Sequence, residues 1–280
     1  MDRQVYYRSI KSRSYKQSIA KQVIALVRGV RNVMPKLSAR KLYHILKQEL
    51  TDLKVGRDKL FRILKANHLL ITPKKSYHIT TDSHHRFRKH RNILSNVDII
   101  RPEQIWVGDI TYVGNRSKPS YLALITDAYS KKIMDYNVSN TLAVDGSLEA
   151  LDMALKNRVN NEEPLIHHSD RGLQYCSNEY QQLLIKNNIK ASMTEKYDPY
   201  ENAIAERING ILKQEFNIAK SINDVQVKKK LIKNAIQVYN NQRPHLSNHM
   251  LTPQQMHQQN KLIRIQYKSK KLNDASIVKL

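Results

Sequence analysis

The first third of the chain repeats a helical pattern of apolar residues. In LSARKLYHILKQEL, which follows Pro35, the apolar positions recur at helical spacing and Ser38 stands before them as a candidate N-cap. After the linker TDLKVG, the segment GRDKLFRILKANHLL repeats the pattern. Two short helices joined by a tight turn are typical of a helix-turn-helix, with a plain basic helical hairpin as the alternative. Basic residues on the second helix favour DNA as the partner: Arg57, Arg62 and Lys65.

From residue 101 onward the pattern changes to short apolar runs separated by turn residues. IWVGDITYVG, YLALITDAYS and KKIMDYNVS predict three successive strands. The helix TLAVDGSLEALDMALKNRV follows, and then the strands PLIHHS and IKASMT flank the helix SNEYQQLLIKNN. Two longer helices complete the region, ENAIAERINGILKQEF and VKKKLIKNAIQVYNNQ. A meander followed by alternating helices and strands predicts an α/β fold, in which helices flank a mixed sheet.

The net charge of +24 points to a polyanionic partner. Residues 1–100 hold 23 Lys and Arg against 6 Asp and Glu, whereas residues 101–280 hold 25 against 18. Each phosphate contact releases counterions, so such an excess favours nucleic acid. The basic N-terminus lacks the apolar segment of a secretory signal, and no run of eighteen apolar residues predicts a membrane span. A single cysteine, Cys176, fits a reducing cytoplasm.

The two regions are joined by a polar basic stretch, TPKKSYHITTDSHHRFRKHRN. Its histidines suggest zinc, but without paired cysteines a solvated basic linker that tracks phosphates is favoured. Candidate phosphate contacts here are Arg86, Arg88 and Lys89. The predicted organisation is a helical DNA-binding region at 1–75, with the helix-turn-helix at about 36–70, a linker at 76–100, a catalytic core at 101–260 and a basic tail at 261–280.

Three acidic residues are candidates for one catalytic site. Asp109 lies in the middle of the first predicted core strand, and Asp170 ends the fourth, which neighbours the first if the strand order is third, second, first, fourth. Glu206 lies on a helix, with thirty-five residues between it and Asp170. Each acid alone has an ordinary structural explanation. Together they would repel unless cations lie among them, and hard oxygen ligands suit Mg²⁺ or Mn²⁺. Two such ions about 3.5–4 Å apart can drive phosphoryl transfer. A fourth acid, Asp127, ends the second strand and is assigned a structural role.

The helix that carries Glu206 has two faces. Asn202, Glu206, Asn209 and Lys213 recur at helical spacing and share one face. A carboxylate, amides and an ammonium on one stripe fit a helix lying along a DNA backbone. The opposite face is apolar, as in an ordinary amphipathic helix.

At this point the residues resemble a known family. WVGDITYV, HHSDRGLQYCSNEY and AERINGILKQE, with the spacing of the acids, resemble the DDE catalytic core shared by retroviral integrases and bacterial transposases. YNNQRPHLSNHMLTPQQMH at 239–257 resembles the end of that core in the insertion-sequence-three family, as encoded by its second reading frame (OrfB). The upstream helical pair and ITTDSHHRFRKHRNIL resemble the same family. The sequence departs from the family pattern at Gly108, Leu173 and Glu201.

The resemblance implies a ribonuclease-H-like fold and a catalytic triad of Asp109, Asp170 and Glu206 that holds two Mg²⁺ ions, with Mn²⁺ as a possible substitute. It implies cleavage of double-stranded transposon ends and strand transfer into target DNA. Lys213 matches a family position that contacts DNA near the scissile phosphate. The implied partners are further copies of the chain on paired DNA ends and a first-frame (OrfA) protein, in a bacterial cytoplasm in association with the nucleoid.

Three functions are compatible with these features. The intact acid triad favours an active transposase. Family members are often frameshift fusions with an upstream helix-turn-helix and leucine zipper, and their expected absence here favours a catalytically silent DNA-binding inhibitor or repressor from an incomplete element. A metal-dependent nuclease that cuts without joining shares every acid, and strand-transfer products would distinguish it from a transposase.

Overall fold

The computed structural model describes residues 3–72, 89–94, 97–114, 119–195, 202–218, 222 and 224–259. Its elements, in chain order, are α1 (Arg3–Val33), α2 (Ala39–Ile45), α3 (Lys47–Asp52), α4 (Arg57–Ala66), β1 (Ile105–Gly114), β2 (Pro119–Asp127), β3 (Ile133–Ser139), α5 (Val144–Lys156), β4 (Leu165–Ser169), α6 (Leu173–Cys176), α7 (Asn178–Lys186), β5 (Ile189–Met193), α8 (Ala203–Glu215), α9 (Val225–Asn241), a 3-10 turn (Leu246–Asn248) and α10 (Pro253–His257). Within these ranges no helix is long and apolar enough to cross a membrane.

Helices α1 to α4 surround a small apolar core of their own. The second half of α1 packs Ile19, Val23 and Val27 into this core, whereas its first sixteen residues are exposed. The helix predicted from LSARKLYHILKQEL divides at Leu46 into α2 and α3, because this residue leaves the helical conformation (φ −92°, ψ 22°). Ser38 occupies the N-cap of α2, but its side chain makes no capping hydrogen bond.

The strands form one five-stranded sheet in the order β3-β2-β1-β4-β5, which confirms the predicted placement of the fourth strand beside the first. The central strand β1 pairs antiparallel with β2 and parallel with β4. The last pair, β4 with β5, is parallel. This parallel pairing places the carboxyl end of β4, at Ser169, beside Gly108 in the middle of β1, and the site lies at this point of the sheet.

Helices cover both faces of the sheet, which confirms the predicted α/β architecture. On one face, Trp106 and Ile125 pack against α5 and α7 through residues such as Ala150 and Tyr180. On the other face, Leu122 and its neighbours pack against the buried sides of α8 and α9. Since both faces of the sheet are covered, the sequence of β1 is an almost continuous apolar run. Asp109 is the one carboxylate within it.

A buried cluster of ionisable side chains stabilises the turn between β2 and β3. Asp127 is fully buried and accepts hydrogen bonds from the backbone N–H of Glu103 at 2.7 Å and from Ser130 Oγ at 2.6 Å. His257, at the end of α10, lies with its Nε2 3.5 Å from Glu103 and its Nδ1 3.7 Å from Asp127. This cluster bears out the structural assignment of Asp127. Because His257 is the last residue of the segment 239–257, these contacts also attach that segment to the sheet.

Both outer strands of the sheet have partners along their edges. Residues 89–94 run beside β5: Met193 N–H donates to the carbonyl of Arg91 at 3.4 Å, and Ile93 N–H donates to Ser192 Oγ at 3.2 Å. At β3, the side chain of Asn240 on α9 bonds both the N–H and the carbonyl of Ile133, at 3.0 and 2.9 Å. The edge at β5 is therefore lined by residues 89–94, and the edge at β3 is blocked at its first residue, Ile133.

Candidate active site

The parallel pairing of β1 with β4 brings Asp109 and Asp170 side by side. Gly108 pairs with Ser169, so the next residue on each strand is a carboxylate. Asp170 directly follows β4, and its Oδ1 accepts the N–H of Gly172 at 3.0 Å, which fixes the turn after the strand. A Cβ at position 172 would lie 2.9 Å from that oxygen, so a larger residue here would have to displace the Asp170 carboxylate.

The environment of Asp109 disfavours its charge. Burial, the neighbouring Asp170 and, more weakly, Glu206 together raise the pKa of Asp109 to about 8. Two groups act in the opposite direction: Asn209 donates an amide hydrogen bond to Asp109, and Lys213 lies within electrostatic reach. A strand carboxylate whose pKa is raised this far is typical of a site that binds a metal or performs acid–base chemistry.

Gly108 is required by the aromatic packing beneath the two carboxylates. A Cβ at this position would lie 2.8 Å from His167 Nε2 and 3.1 Å from Tyr175. His167 in turn bonds the hydroxyl of Tyr180 at 3.0 Å. Burial lowers the pKa of His167 to about 3, so the ring is neutral. The departure from the family pattern at Gly108 therefore has a cause in this chain, namely the volume of these rings, which sequence patterns alone did not reveal.

Glu206 lies in the first turn of α8 and is exposed. Burial raises its pKa, and its carboxylate acts electrostatically on Asp109. A groove of about 350 Å³ runs along this side of the helix and is lined by Glu206, Arg207, Gly210 and Gln214, among others. The third predicted acid thus lies within electrostatic range of Asp109, whereas the groove beside it is lined by residues of α8 alone.

The amides predicted to share the face of Glu206 lie inward. Asn202 is the N-cap of α8 and is 9% exposed, and Asn209 is 5% exposed. Asn209 therefore contacts Asp109, whereas the sequence pattern assigned this residue to a DNA contact. Lys213 is half-buried, and its pKa is lowered by burial while Asp109 opposes that change. Glu201, the family departure next to Asn202, lies outside the described residues.

The chemistry of the donors fits a divalent cation. Asp109 and Asp170 offer adjacent carboxylate oxygens, the donors that Mg²⁺ and Mn²⁺ prefer. The Oδ1 atoms of Asn202 and Asn209 are buried without a hydrogen-bond partner among the described residues. Across that part of the chain, no three acid, histidine or cysteine side chains are grouped tightly enough to hold a metal. The structure therefore assembles two of the three predicted ligands as a pair, with Glu206 nearby on α8.

The basic residues assigned to DNA lie at two places. Arg57, Arg62 and Lys65 are exposed on α4. Lys89 is exposed at the start of the segment beside β5 and acts electrostatically on Cys176, as does Asp170. Arg86 and Arg88 lie outside the described residues. Leu173, the third family departure, is 44% exposed at the start of α6, so its larger side chain meets no packing constraint.

Fold and site define a protein of the integrase class. Residues 100–199 match one family described as "Integrase core domain", and residues 187–253 match a second family of the same description. The fold is also similar to the cryo-EM structure of a simian T-cell lymphotropic virus intasome in complex with PP2A regulatory subunit B56 gamma. That comparison gives a TM-score of 0.50 at 18% identity and covers 80% of this chain and 76% of the other.

Curated relatives narrow the class to bacterial insertion elements. The chain is 35% identical over 193 residues to the insertion element IS600 uncharacterized 31 kDa protein of Shigella sonnei, covering 68% of this chain and 71% of the relative. It is 33% identical over 160 residues to the transposase InsF for insertion sequence IS3fB of Escherichia coli, covering 57% of this chain and 55% of that protein. The chain belongs to the insertion-sequence-three family of transposases, with a core of the integrase type.

Proposed function

We propose that this protein is a metal-dependent DDE polynucleotidyl transferase that cleaves the ends of its own insertion element and joins them to target DNA. The observation that carries the proposal is the adjacent pair Asp109 and Asp170, with the pKa of Asp109 raised by burial and by its neighbour. Two half-buried carboxylates held side by side repel each other, and a bound cation removes that cost. Membership of a transposase family favours this function over a silent DNA-binding protein.

Asp109, Asp170 and Glu206 would hold two Mg²⁺ ions, or Mn²⁺ in their place. When bound, the ions supply activation of the attacking oxygen and stabilisation of the leaving oxygen of a phosphodiester. The chain itself positions the two carboxylates and the phosphate. Asn209 orients Asp109, the Gly172 N–H orients Asp170, and Lys213 offers a cation for a phosphate beside the pair. Positioning and charge complementarity dominate phosphoryl transfer, which needs no covalent enzyme intermediate.

The DNA would lie across both units of the chain. The exposed basic residues of α4 would contact phosphates or a groove, and Lys89, in the proposed linker at 76–100 and within electrostatic range of Cys176, would contact a phosphate beside β5. With the core at 101–260, this division places end recognition at 1–75 and chemistry on the sheet. Assembly as a multimer on paired ends, an OrfA partner and a cytoplasmic, nucleoid-associated location belong to the same proposal.

The test is a cleavage and joining assay on double-stranded DNA carrying the element's own ends, with and without Mg²⁺. Wild type and Glu206→Ala are compared, and Glu179→Ala, an exposed acid on α7, is the matched control. The proposal predicts metal-dependent nicks and strand-transfer products from wild type and control, none from Glu206→Ala, and equal DNA affinity for all three. Nicks without joined products would indicate a nuclease. Binding without any products, even after the first-frame protein is added, would indicate a silent DNA-binding protein.

A further inference from the structure

The carboxyl end of α8 carries a buried charge cluster that lies outside the catalytic site. Glu215, the last residue of α8, accepts two hydrogen bonds from Arg243, from Nε to Oε2 and from Nη2 to Oε1, both at 2.8 Å. Lys41 of α2 approaches the same carboxylate at 3.4 Å. The side chains of Lys41 and Arg243 are 5% and 1% exposed. One carboxylate thus joins three parts of the chain: α8, the segment after α9, and the N-terminal helices.

Other contacts converge on the same place. The backbone N–H of Lys36 donates to the carbonyl of Glu215 at 3.2 Å. Phe216, the next residue, packs both against the core beneath α8 and α9 and against the core of the N-terminal helices. The junction is therefore where the N-terminal region is fixed to the catalytic core, and it is fixed to the helix that bears Glu206.

The charges indicate what the junction is for. Arg243 alone satisfies the Glu215 carboxylate with a bidentate pair, so Lys41 is a second cation, buried at a cost that a single 3.4 Å contact does not offset. Burial and the charge of Arg243 together lower the pKa of Lys41 to about 8. Replacing a buried ion pair by apolar side chains is often neutral or stabilising, so stability alone does not explain the position of Lys41. The contact of Lys41 with Glu215 connects α2 to the carboxyl end of α8.

We propose that Glu215 and Lys41 are positioning residues that transmit the placement of the N-terminal helices to α8 and so set where Glu206 stands relative to Asp109 and Asp170. Nine residues, about 13 Å of helix, separate Glu206 from Glu215, so a small tilt at the junction displaces the carboxylate at the other end. The part of this proposal that concerns the catalytic role of Glu206 rests on the proposed function. The mechanical link, by which the N-terminal helices fix the position of α8, does not depend on that function.

The experiment uses the full chain with Lys41→Met, which replaces the buried ammonium by an apolar side chain of similar length and leaves the Glu215–Arg243 pair intact. Lys47→Met, an exposed lysine on α3, is the control with the same change in charge. Native-state hydrogen exchange is measured without DNA or metal. We expect the amides of α8 to exchange at least tenfold faster in Lys41→Met than in Lys47→Met, with β1 and β4 unchanged. Equal exchange in the two variants, or an equal increase in β1 and β4, would overturn the link.

A second readout follows the metal. In the cleavage assay, Lys41→Met should need at least threefold more Mg²⁺ for half-maximal rate than Lys47→Met, with unchanged DNA affinity. Glu215→Gln, which keeps the shape and removes the charge, should show the same increase. An unchanged Mg²⁺ requirement in both variants would refute the positioning of Glu206. If wild type itself shows no metal-dependent cleavage, the proposed function fails while hydrogen exchange still decides the mechanical link.

Discussion

Replacing Gly108 by alanine should destabilise the protein through its contact with His167. The added Cβ would lie 2.8 Å from Nε2 and 2.9 Å from Cε1 of His167, and 3.1 Å from Tyr175. The imidazole cannot swing aside freely, because it is 1% exposed and bonded to the Tyr180 hydroxyl at 3.0 Å. The ring centroids of Tyr175 and Tyr180 lie 5.3 Å apart, so neither neighbour leaves room.

The size of the effect follows from these contacts. Overpacking a well-filled interior costs about 1–3 kcal/mol. Displacing the His167 ring also weakens its hydrogen bond to Tyr180, worth about 0.5–1.5 kcal/mol. Alanine is favoured over glycine within a strand by about 0.5–1 kcal/mol, which offsets part of the loss. We therefore expect the free energy of unfolding to fall by about 1–3 kcal/mol in Gly108→Ala.

Urea denaturation of wild type, Gly108→Ala, His167→Ala and the double variant measures this coupling. With the ring removed, the two shortest contacts of the Cβ are gone and only the one to Tyr175, at 3.1 Å, remains, so Gly108→Ala should cost less in the His167→Ala background. We expect an interaction energy of about 1 kcal/mol or more between the two positions. Additive effects, or a Gly108→Ala variant within about 0.5 kcal/mol of wild type, would refute the explanation of this glycine.

Three further predictions follow from the site and its surroundings. Asn209→Ala removes a hydrogen bond that lowers the pKa of Asp109, so protons should compete more strongly with metal and the pH of half-maximal cleavage at fixed Mg²⁺ should rise; an unchanged or more acidic midpoint contradicts this. His257→Gln should cost about 2–3 kcal/mol in denaturation, since it leaves the buried carboxylates of Glu103 and Asp127 without their cation. Burial lowers the pKa of His257, but the carboxylates of Asp127 and Glu103, 3.7 and 3.5 Å away, outweigh burial and raise it. The stabilisation is therefore present at low pH and lost as pH rises through the folded pKa, and a wild-type advantage over His257→Gln that grew with pH would contradict it. Arg62→Ala should reduce the slope of log Kd against log salt for DNA binding by about one, whereas a wild-type affinity that is flat between low and physiological salt would contradict phosphate contacts altogether.

Much of the fold could be predicted because the sheet obeys local rules. The meander of three strands, the fourth strand beside the first and the helices on both faces follow from short apolar runs and the turns between them. Asp109 stood out as a charge within an apolar strand, and Asp170 as an acid at a strand end. The strand order that makes the two strands neighbours was the expected one, whereas the parallel register that sets Gly108 against Ser169 was not predicted.

Contacts between distant residues could not be predicted from local patterns. His257 meets Asp127 across 130 positions, and Lys41 meets Glu215 across 174, and no spacing rule connects such pairs. The inward placement of Asn209 illustrates a second limit. Helical periodicity puts it on the face of Glu206, but whether that face meets solvent or the sheet depends on how α8 packs, which the sequence pattern leaves undetermined.

The covered sheet edges constrain how copies of the chain can meet. An open edge strand invites pairing with the same strand of another molecule, and proteins concentrated along one DNA are brought together at high local density. Here β5 is bonded by residues 89–94, and Asn240 occupies both backbone groups of Ile133 on β3. The segment beside β5 belongs to the stretch proposed to track DNA phosphates, so under that proposal the same residues would also cover this edge of the sheet. Copies assembled on paired ends would then associate through helices and loops, where contacts can be remade as DNA is exchanged, instead of through a continuous sheet that could not readily separate.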